Sequence, residues 1–373
     1  MRRIILDLSM AQSGGGFTYA VNVIPLLAAR MPETEFLVVL RSKRIAGSLP
    51  GVGNIKLHLM PDSGFGGRLL FLVLHASALA KSWDADLYYS ASELSPRSCP
   101  CPKVAAFRNA NLFTDLRLGW PLYQQARIWM LRTLARYSAR TCSRILFVSE
   151  HSAQWIGDSL GLSSEKRVVV PHGVNEGLWS GPKGSRPFDR EYILSVSSIY
   201  RYKNFVRLIE AWTKLAVRLP DVPDLVIVGD DQDPLHSREM HEAQLRAGNL
   251  ADRIHLVGEV PYAEIARYYR NAKAFVFPSY LETFGHPLLE AMAAGIPVVA
   301  SDLGVFREVG AGAALYFSAH DTDSIADTLE RLLRDPDMQN ELVARGFARV
   351  REYSWERAVD RMVSMFHQVH ARP

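Results

Sequence analysis

The sequence has few cysteines, no long apolar run and only a small excess of positive charge. Its 373 residues contain 3 cysteines, too few for the disulfide framework of a small secreted domain. The longest apolar run, LLFLVLHASALA (Leu69–Ala80), is too short to span a bilayer and predicts a core helix. The formal net charge of +4 is a mild basic bias. It is compatible with phosphate ligands or an anionic surface and does not predict nucleic-acid binding.

The three cysteines also do not make up a metal site. Cys99 and Cys101 form a C-x-C pair, and Cys142 stands alone, so the four-ligand set of a structural zinc site is not complete. We expect structural or incidental roles for all three. The first residues, MRRIILDLSM, lack the apolar segment and cleavage site of a secretory signal, so a cytoplasmic location is the default expectation.

The sequence does contain a regular alternation of short aliphatic runs with helical patterns. The chain length predicts two domains. Strands that are apolar on both sides and separated by helices predict parallel sheets covered on both faces. The predicted strands are, in order, RIILDLS, EFLVVL, IKLHLM, DLYYS, VAAF, RILFVS, RVVVP, YILSVSS, DLVIVG, RIHLVG, AFVFPS, IPVVAS and ALYFS.

The most Gly/Pro/Ser-rich polar stretch divides this pattern in two. Residues 175–190 predict a linker between two doubly wound α/β domains, 1–174 and 191–354. We expect a cleft between these domains that faces the carboxyl ends of the strands, where such sheets bind ligands. A terminal amphipathic helix, about 355–373, is expected to pack back on the first domain.

Two glutamates flank the start of one predicted helix in the stretch SYLETFGHPLLEAMAAGIPVVASD. Pro287 suits the first helical position and Gly295 the stop, which predicts a helix over about 287–294. The N-terminus of this helix favours an anion, and Glu282 and Glu290 could accept hydrogen bonds from hydroxyls beside it. Hydroxyls next to a phosphate describe a nucleotide sugar. Alternatively, Glu290 only complements the helix dipole and Glu282 is solvated.

Two further segments could contact the same kind of ligand. The turn SSIYRYKN places Arg201 and Lys203 after a strand, where they could stabilise a departing diphosphate without a metal, or simply be solvated. Near the start, Gly14, Gly15 and Gly16 form a Gly-rich turn. They do not fit the spaced dinucleotide fingerprint, but they could offer a backbone surface to the donor.

An ordered series of motifs resembles the retaining glycosyltransferases of family 4, which have the GT-B fold of two Rossmann-like domains facing across a cleft. In the second half the series is SSIYRYKN, DLVIVGD, IHLVGEV, ETFGHPLLEAMAAGIPVVASD, FREVGAGAALYF and REYSWERA. In the first half it is GGGFTYAVNVIPLL and ILFVSEHSAQWI with VVVPHGV. The resemblance covers nearly the whole chain.

This resemblance implies a retaining, metal-independent hexosyltransferase. The donor would be a GDP-, UDP- or ADP-sugar carrying mannose, glucose or a related hexose, and no cofactor is implied. The acceptor would be a hydroxyl of a carbohydrate or lipid-linked molecule in bacterial polysaccharide, lipopolysaccharide or glycolipid assembly. Two other interpretations are a catalytically silent GT-B binding protein and a GT-B sugar-nucleotide epimerase.

The resemblance also implies roles for individual residues. Glu282, Arg201 and Lys203 are the catalytic candidates, with Glu282 on the sugar hydroxyls and the two cations on the diphosphate. Glu290 is expected to hold the ribose, and Gly258–Val260 to line the base pocket. The donor-binding candidates are Gly15, Gly16, Ser198, Gly258, Glu259, Val260, Thr283, Phe284, Gly285, His286 and Glu290.

Three positions depart from the family pattern. Ser198 stands where the family commonly has an arginine, and His172 replaces the usual asparagine before GV. Arg108 or Asn109 occupies the place of a histidine that contacts the transferring sugar in many members. Arg108, Asn109 and His172 are therefore candidates for the acceptor side.

Two chemical alternatives remain at the site. Glu282 could attack the sugar as a nucleophile, as in retaining glycosidases, but we favour a front-face displacement in which the leaving phosphate takes the acceptor proton. The loop VGDDQDP offers Asp230, Asp231 and Asp233 to a hard cation, although a cationic clamp makes a metal unnecessary.

The stretch Arg127–Arg144 contains no acidic residue. Its Arg132, Arg136, Arg140 and Arg144 recur every four positions on one predicted helix, interleaved with apolar and aromatic side chains. This pattern indicates either a solvated helix face or a surface that docks to an anionic membrane leaflet or to a lipid-phosphate acceptor. It carries no nucleic-acid recognition motif.

Overall fold

The computed structural model describes residues 1–12, 14–61, 64–114 and 120–371. The chain forms two compact units. Unit 1 comprises Met1–Gly173 together with Trp355–Pro373, and unit 2 comprises Val174–Ser354. Each unit has its own sheet, with helices on its faces.

Unit 1 is built on a sheet that is seven-stranded and parallel in the described residues. Its strands are β1 (Arg3–Asp7), β2 (Glu35–Leu40), β3 (Ile55–Leu59), β4 (Leu87–Ser90), β5 (Lys103–Phe107), β6 (Arg144–Phe147) and β7 (Arg167–Val169). The spatial order is β3-β2-β1-β4-β5-β6-β7. The winding direction reverses between β1 and β4, so ligands are expected at the carboxyl ends of these two strands.

Helices cover the faces of this sheet. They are α1 (Gly14–Arg30), α2 (Lys43–Ser48), α3 (Gly64–Leu70), α4 (Ala76–Ser82), α5 (Leu122–Thr141) and α6 (Glu150–Ser159). A π-helical turn, Phe71–His75, joins α3 to α4, and 3₁₀ turns cover Ala110–Leu112 and Ser164–Lys166. The core of the unit includes Ile5, Phe107 and Phe147 from the strands.

Unit 2 repeats the doubly wound pattern with six strands in the described residues. They are β8 (Tyr192–Val196), β9 (Asp224–Val228), β10 (Ile254–Gly258), β11 (Ala274–Phe277), β12 (Val298–Ser301) and β13 (Ala314–Phe317). The order is β10-β9-β8-β11-β12-β13, and the pairings are parallel. Here the winding direction reverses between β8 and β11.

The helices of unit 2 are mostly amphipathic and bury one face on this sheet. They are α7 (Glu176–Trp179), α8 (Phe205–Arg218), α9 (Pro234–Arg246), α10 (Tyr262–Asn271), α11 (His286–Ala293), α12 (Gly304–Gly310), α13 (Thr322–Arg334) and α14 (Pro336–Val350). On α8, for example, Leu208, Trp212 and Leu215 are fully buried. Their spacing of three and four residues is that of one helix face.

The last helix, α15 (Trp355–His370), belongs to unit 1. It packs on α1, where the Tyr19 hydroxyl lies 3.5 Å from Sδ of Met362. The ring of Phe366 lies 5.6 Å from that of Tyr89. The predicted terminal helix extended to residue 373, and residues 372–373 lie outside the described part of the chain.

The predicted fold class is confirmed, since all thirteen predicted strands are present in the described residues. Three details differ. Arg144 begins β6, because α5 already ends at Thr141, so the four-residue arginine period runs past the helix. Residues 175–190 contain α7, whose Trp179 is buried. The run Leu69–Ala80 is only partly core, because Leu70, Val73 and Leu74 are exposed.

None of the helices in the described part of the chain combines the length and the apolar character that a bilayer crossing requires.

Candidate functional site

The switch point of unit 2 gathers several of the predicted site residues. The chain that leaves the carboxyl end of β8 carries the 3₁₀ turn Arg201–Lys203, and the chain that leaves β11 carries Glu282. Because β8 and β11 are neighbours in the sheet, these two segments emerge at the same edge. Sequence motifs 79 residues apart therefore meet in one place.

Lys203 and Glu282 form a direct ion pair. Nζ of Lys203 lies 2.5 Å from Oε1 of Glu282, and their side chains are only 11% and 14% exposed. The hydroxyl of Ser279 also donates to Oε1 of Glu282, at 3.2 Å. A nearly buried ion pair depends on such additional hydrogen bonds, because desolvation opposes it. The carboxylate is thus held in a fixed position beside a cation.

Asn204 fastens these two segments together and was not predicted from the sequence. Its backbone is left-handed, with φ of 64°. Its side-chain amide donates to the carbonyls of Pro278, at 3.0 Å, and Ala319, at 2.9 Å. The backbone N–H of Tyr280 also donates to the carbonyl of Tyr202, at 2.8 Å. The signal available in the sequence was an asparagine at the end of a turn, since asparagine tolerates this conformation.

Helix α11 starts at His286, one residue before the predicted start, and Gly285 is its N-cap. Gly285 has φ of 102°, and a Cβ there would lie 2.8 Å from Cε1 of Phe306. The glycine is therefore required by its backbone conformation and by packing. The first turn of a helix presents N–H groups without intrahelical partners, and Glu282 lies three residues before this N-cap.

Glu290 lies inside α11 and is half-buried. The hydroxyl of Tyr269 donates to Oε2 of Glu290, at 3.0 Å. Burial raises the pKa of Glu290 to about 7, although the tyrosine hydrogen bond acts in the opposite direction. A carboxyl group poised between its two protonation states near neutral pH can both accept and donate hydrogen bonds. Sequence reasoning missed Tyr269, which lies on α10.

Arg201 is turned toward a different partner. Its Nη2 lies 2.5 Å from Oε1 of Glu239 on α9, and Oε2 of the same carboxylate lies 3.1 Å from Nδ1 of His236. The structure therefore brings Lys203 to Glu282 but holds Arg201 on α9. Glu239 gave no signal in the sequence, because it belongs to no motif.

The other donor-side candidates in unit 2 lie at or just after the carboxyl ends of its strands. Ser198 follows β8 in the stretch where the N–H groups of Ser197 and Ile199 pair with Val228 and Asp230. Gly258, with φ of 78°, ends the edge strand β10 and is followed by the exposed Glu259 and half-buried Val260. Thr283 and Phe284 are buried, and the Phe284 ring lies 5.2 Å from that of the half-buried His286.

The aspartates considered as metal ligands have local partners. Oδ2 of Asp230 accepts from the side chain of Gln232, at 2.6 Å, and Oδ1 of Asp231 accepts from the backbone of Asp233, at 3.1 Å. Asp233 itself caps α9 by accepting from the N–H of His236, at 3.2 Å. Across residues 1–12, 14–61, 64–114 and 120–371, no three His, Cys, Asp or Glu side chains form a metal-ligand cluster.

The Gly-rich segment of unit 1 is the first turn of a helix and not a separate turn. Helix α1 begins at Gly14, which has φ of 52°. A Cβ at Gly15 would meet no described atom within 4 Å, so a ligand could approach its backbone. At Gly16 a Cβ would lie 3.1 Å from Cα of Ala11, which is a packing reason for glycine.

The switch point of unit 1 is filled by a buried charged cluster that the sequence did not predict. Arg68 is 1% exposed and donates to the hydroxyls of Ser9, at 3.0 Å, and Ser92, at 2.8 Å. Burial lowers the pKa of Arg68, and the carboxylates of Asp7 and Glu93 act against this shift. Asp7 ends β1, whereas Ser92 and Glu93 follow β4.

The three acceptor-side candidates, Arg108, Asn109 and His172, differ in their burial and in their hydrogen-bond partners. Oε1 of Glu93 accepts from the backbone N–H groups of Arg108, at 2.8 Å, and Asn109, at 2.7 Å. The Arg108 guanidinium lies 4.3 Å from the ring centre of Tyr19 and donates to the carbonyl of Ala91. Asn109 is exposed, and its side chain accepts from the backbone of Asn111.

His172 is buried and packed among aromatic rings. Its ring lies 5.3 Å from that of Tyr19 and 5.6 Å from that of Trp355. Position 172 therefore lies inside unit 1, and Asn109 is the most accessible of the three candidates.

Helix α5 carries the basic stretch and an exposed apolar start. Leu122, Tyr123 and Trp129 are 82%, 70% and 70% exposed. Arg127, Arg136 and Arg140 are also exposed. Arg132 instead donates to the carbonyls of Leu112 and Thr114, so it holds the neighbouring loop.

Comparison with protein families gives two matches that together cover most of the chain. The model described as glycosyltransferase family 4 matches residues 13–178. The model described as glycosyl transferases group 1 matches residues 182–349, which contain Lys203, Glu282 and Glu290.

Curated relatives include two mannosyltransferases. The phosphatidyl-myo-inositol mannosyltransferase of Mycolicibacterium smegmatis is 33% identical over 229 residues, 60% of this chain and 56% of that protein. The O-antigen chain mannosyltransferase RfbU of Salmonella typhimurium is 30% identical over 209 residues, 55% of each. The chain spans about half the length of the curated relatives it matches.

Solved structures share the fold. A sucrose-phosphate synthase from Thermosynechococcus elongatus superposes with a TM-score of 0.79 at 18% identity and full coverage of both chains. HepE from Anabaena, solved in complex with UDP-glucose, gives a TM-score of 0.75 at 15% identity, covering 99% of this chain and 100% of that one. At these identities the likeness shows the architecture alone.

Proposed function

Because the chain belongs to the family 4 glycosyltransferases, we propose that it transfers a hexose, with retention, from a nucleoside-diphosphate sugar to a hydroxyl acceptor. The observation that carries the proposal is the Lys203–Glu282 pair beside the start of α11. A cation and a helix N-terminus suit a diphosphate, and a fixed carboxylate suits sugar hydroxyls. The mannosyltransferase relatives favour mannose as the hexose.

Each group of the site has a separate task in this proposal. The ammonium of Lys203 and the first turn of α11 stabilise the charge that develops on the departing diphosphate. Glu282 binds hydroxyls of the transferring sugar, and Glu290 binds the ribose. Arg201 contributes less than Lys203, because it must leave Glu239 before it can reach a phosphate.

The reaction proceeds by front-face displacement in this proposal. The bond between the anomeric carbon and the diphosphate oxygen breaks, while the acceptor oxygen bonds to the same face of that carbon. The acceptor proton passes to the leaving phosphate oxygen. Support comes from Glu282, whose carboxylate is already engaged by Lys203 and Ser279 and is therefore a poor nucleophile. A covalent sugar trapped on Glu282 would contradict this mechanism.

The proposed donor site is tested by nucleotide binding and product release. GDP, UDP and ADP are each added to the protein, and the thermal unfolding temperature is measured. We expect one of the three to raise this temperature markedly, and the matching sugar nucleotide to release that nucleoside diphosphate on turnover. If none of the three stabilises the protein and no donor is consumed, the proposal is wrong and a silent binding protein is favoured.

The proposed reaction is independent of metal ions. Lys203 and the helix N-terminus supply positive charge to the leaving group, which a divalent cation supplies in other enzymes. Turnover should therefore be unchanged in excess EDTA. If chelation stopped transfer and manganese restored it, Asp230, Asp231 and Asp233 would become candidate ligands again.

The acceptor in this proposal is a carbohydrate or lipid-linked hydroxyl of polysaccharide, lipopolysaccharide or glycolipid assembly. The names of the relatives, a phosphatidyl-inositol and an O-antigen transferase, support this class. We propose that α5 docks to an anionic leaflet, because Leu122, Tyr123 and Trp129 are exposed next to Arg127. Interfacial helices combine apolar and basic side chains in this way.

Vesicle flotation tests the docking surface. The protein should float with vesicles that contain phosphatidylglycerol and remain unbound with phosphatidylcholine alone. The double variant Arg127→Glu, Trp129→Ser should lose this binding, whereas Lys214→Glu, on the exposed face of α8, should keep it. Equal flotation of both variants would exclude α5 as the surface.

A further inference from the structure

Two sulfur atoms lie close together in the loop between β4 and β5. Sγ of Cys99 is 3.4 Å from Sγ of Cys101. Both residues are half-buried, and their neighbours Arg97, Ser98 and Pro100 are exposed. The pair is therefore accessible to a small reagent. The third cysteine, Cys142, is buried.

The loop that carries the pair is pinned on both sides. Before it, the backbone N–H of Ser95 donates to the hydroxyl of Ser138, at 2.9 Å. After it, Lys103 is the first residue of β5, and its Nζ reaches back to the carbonyl of Pro96, at 2.9 Å. Only the few residues between these anchors are left to move. The anchors therefore keep the two sulfurs near each other and lower the entropy lost when they bond.

The two thiols differ in acidity. The hydrogen bond from Cys101 lowers the pKa of the Cys99 thiol to about 7, and the nearby Lys103 ammonium acts in the same direction. The same partnership raises the pKa of Cys101, and burial raises that of Cys142. Because the thiolate is the reactive form, Cys99 is expected to be the nucleophile among the three.

We propose that Cys99 and Cys101 are a redox-active dithiol that closes reversibly to a disulfide by exchange with a low-molecular-weight disulfide of the glutathione class. The Cys99 thiolate attacks one sulfur of glutathione disulfide, that S–S bond breaks, and one glutathione thiolate leaves. Cys101 then loses its proton to solvent, attacks Sγ of Cys99 and expels the second glutathione. Two protein thiols are oxidised, and one disulfide is reduced to two thiols.

Closing the bond requires only a local movement. The sulfurs must approach from 3.4 Å to about 2.0 Å, within a ring that contains a single intervening residue, Pro100. Such a small ring departs from relaxed disulfide geometry, and strained, accessible disulfides are the readily reduced ones. The disulfide is therefore expected to be readily reduced, and it does not serve to stabilise the fold.

Mass spectrometry of the full chain in glutathione buffers tests the proposal. The protein is equilibrated at increasing ratios of oxidised to reduced glutathione, and the remaining thiols are alkylated. The wild type should lose two of its three free thiols without retaining glutathione, and Cys142→Ser should lose both of its two. Cys101→Ser should instead retain one glutathione on Cys99, because the resolving thiol is missing.

Three results would overturn the proposal. Stable glutathione on Cys99 of the wild type would show that Cys101 does not resolve the mixed disulfide. Three free thiols in the wild type, at a ratio that modifies Cys101→Ser, would show that the ring cannot close. No reaction of either protein would show that Cys99 is not a reactive thiolate.

Competitive alkylation checks the assigned nucleophile by a separate measurement. With limiting iodoacetamide near neutral pH, peptide mapping should show the fastest labelling at Cys99 and the slowest at Cys142. Denaturant should remove the difference, because it depends on the folded loop. Faster labelling of Cys101 or Cys142 in the folded protein would contradict the assignment.

Discussion

At the switch point of unit 2, a lysine and a glutamate are paired with 11% and 14% of their side chains exposed, whereas the arginine at the switch point of unit 1 is 1% exposed. Both groups lie where the winding direction of the sheet reverses. At such a point polar groups gather at the carboxyl ends of two neighbouring central strands. In unit 2 the charges come from the segments that follow β8 and β11, and in the proposed function they exchange their partner for a ligand. In unit 1, Arg68 donates to two serine hydroxyls and faces two carboxylates, so it serves the interior of the unit itself.

The largest expected effect comes from removing the buried arginine of unit 1. Arg68→Met leaves Asp7 and Glu93 buried without their compensating charge, which typically costs about 3–5 kcal/mol of unfolding free energy. Chemical denaturation followed by circular dichroism measures this loss. Lys43→Met, on the exposed face of α2, is the matched control and should be nearly neutral. An equally small effect of both changes would show that Arg68 does not compensate the buried carboxylates of Asp7 and Glu93.

The corresponding change in unit 2 should affect turnover more than folding. Lys203→Ala removes one charge-stabilising group, which is expected to lower kcat by about 10²–10³-fold. Arg201→Ala should lower it less, because Arg201 is paired with Glu239 in the described structure. Steady-state kinetics with Lys214→Ala as the surface control tests both. Near-normal turnover of Lys203→Ala would remove the basis for a diphosphate site.

The two glutamates of unit 2 should differ in the kind of loss they cause. In the proposed function Glu290 holds the ribose equally in the ground and transition states, so Glu290→Gln should raise the donor KM and weaken nucleoside-diphosphate binding by about tenfold. The sugar changes shape and charge during transfer, so Glu282→Gln should mainly lower kcat. Calorimetric titration of the product nucleotide, together with kinetics, separates the two. Equal loss of nucleotide affinity would refute this division.

The smallest expected effect is a pH-dependent change in stability at Glu290. Burial raises its pKa from 4.5 to about 7 in the folded protein, so the wild type loses stability as pH rises through this interval. Glu290→Gln does not titrate. Its unfolding temperature relative to wild type should therefore rise by about 2–4 °C between about pH 5 and about pH 8. A difference that is independent of pH would show that Glu290 is solvated.

The strands were predictable because each is a short, strongly aliphatic run, and burial of a parallel strand on both faces requires such a run. The Glu282 and Glu290 segment was predictable because Pro287 and Gly295 mark the helix between them. Arg68 and Glu93 were not predictable. Each is a single charged residue outside any motif, and its role depends on Asp7 and Ser92, which only the fold brings near.

Other errors came from extending a local pattern too far. The arginine period of four continued from α5 into β6, because a residue spacing does not show where a helix ends. The closeness of Cys99 and Cys101 was not predicted, since it depends on anchors at Ser95 and Lys103 that lie outside the motif. The partner of Arg201, Glu239, lies on a separate helix.

The assignment of α15 to unit 1 has a consequence for protein synthesis. Tyr19 and Tyr89, from the start of the chain, pack against Met362 and Phe366 near its other end. Ribosomes make the chain in one direction, so all of unit 2 is synthesised before the last helix of unit 1. The face of α1 that α15 covers is therefore exposed until the end of translation. A truncated gene that stops after residue 173 should yield an aggregation-prone product, and adding residues 355–373 in trans should improve its solubility.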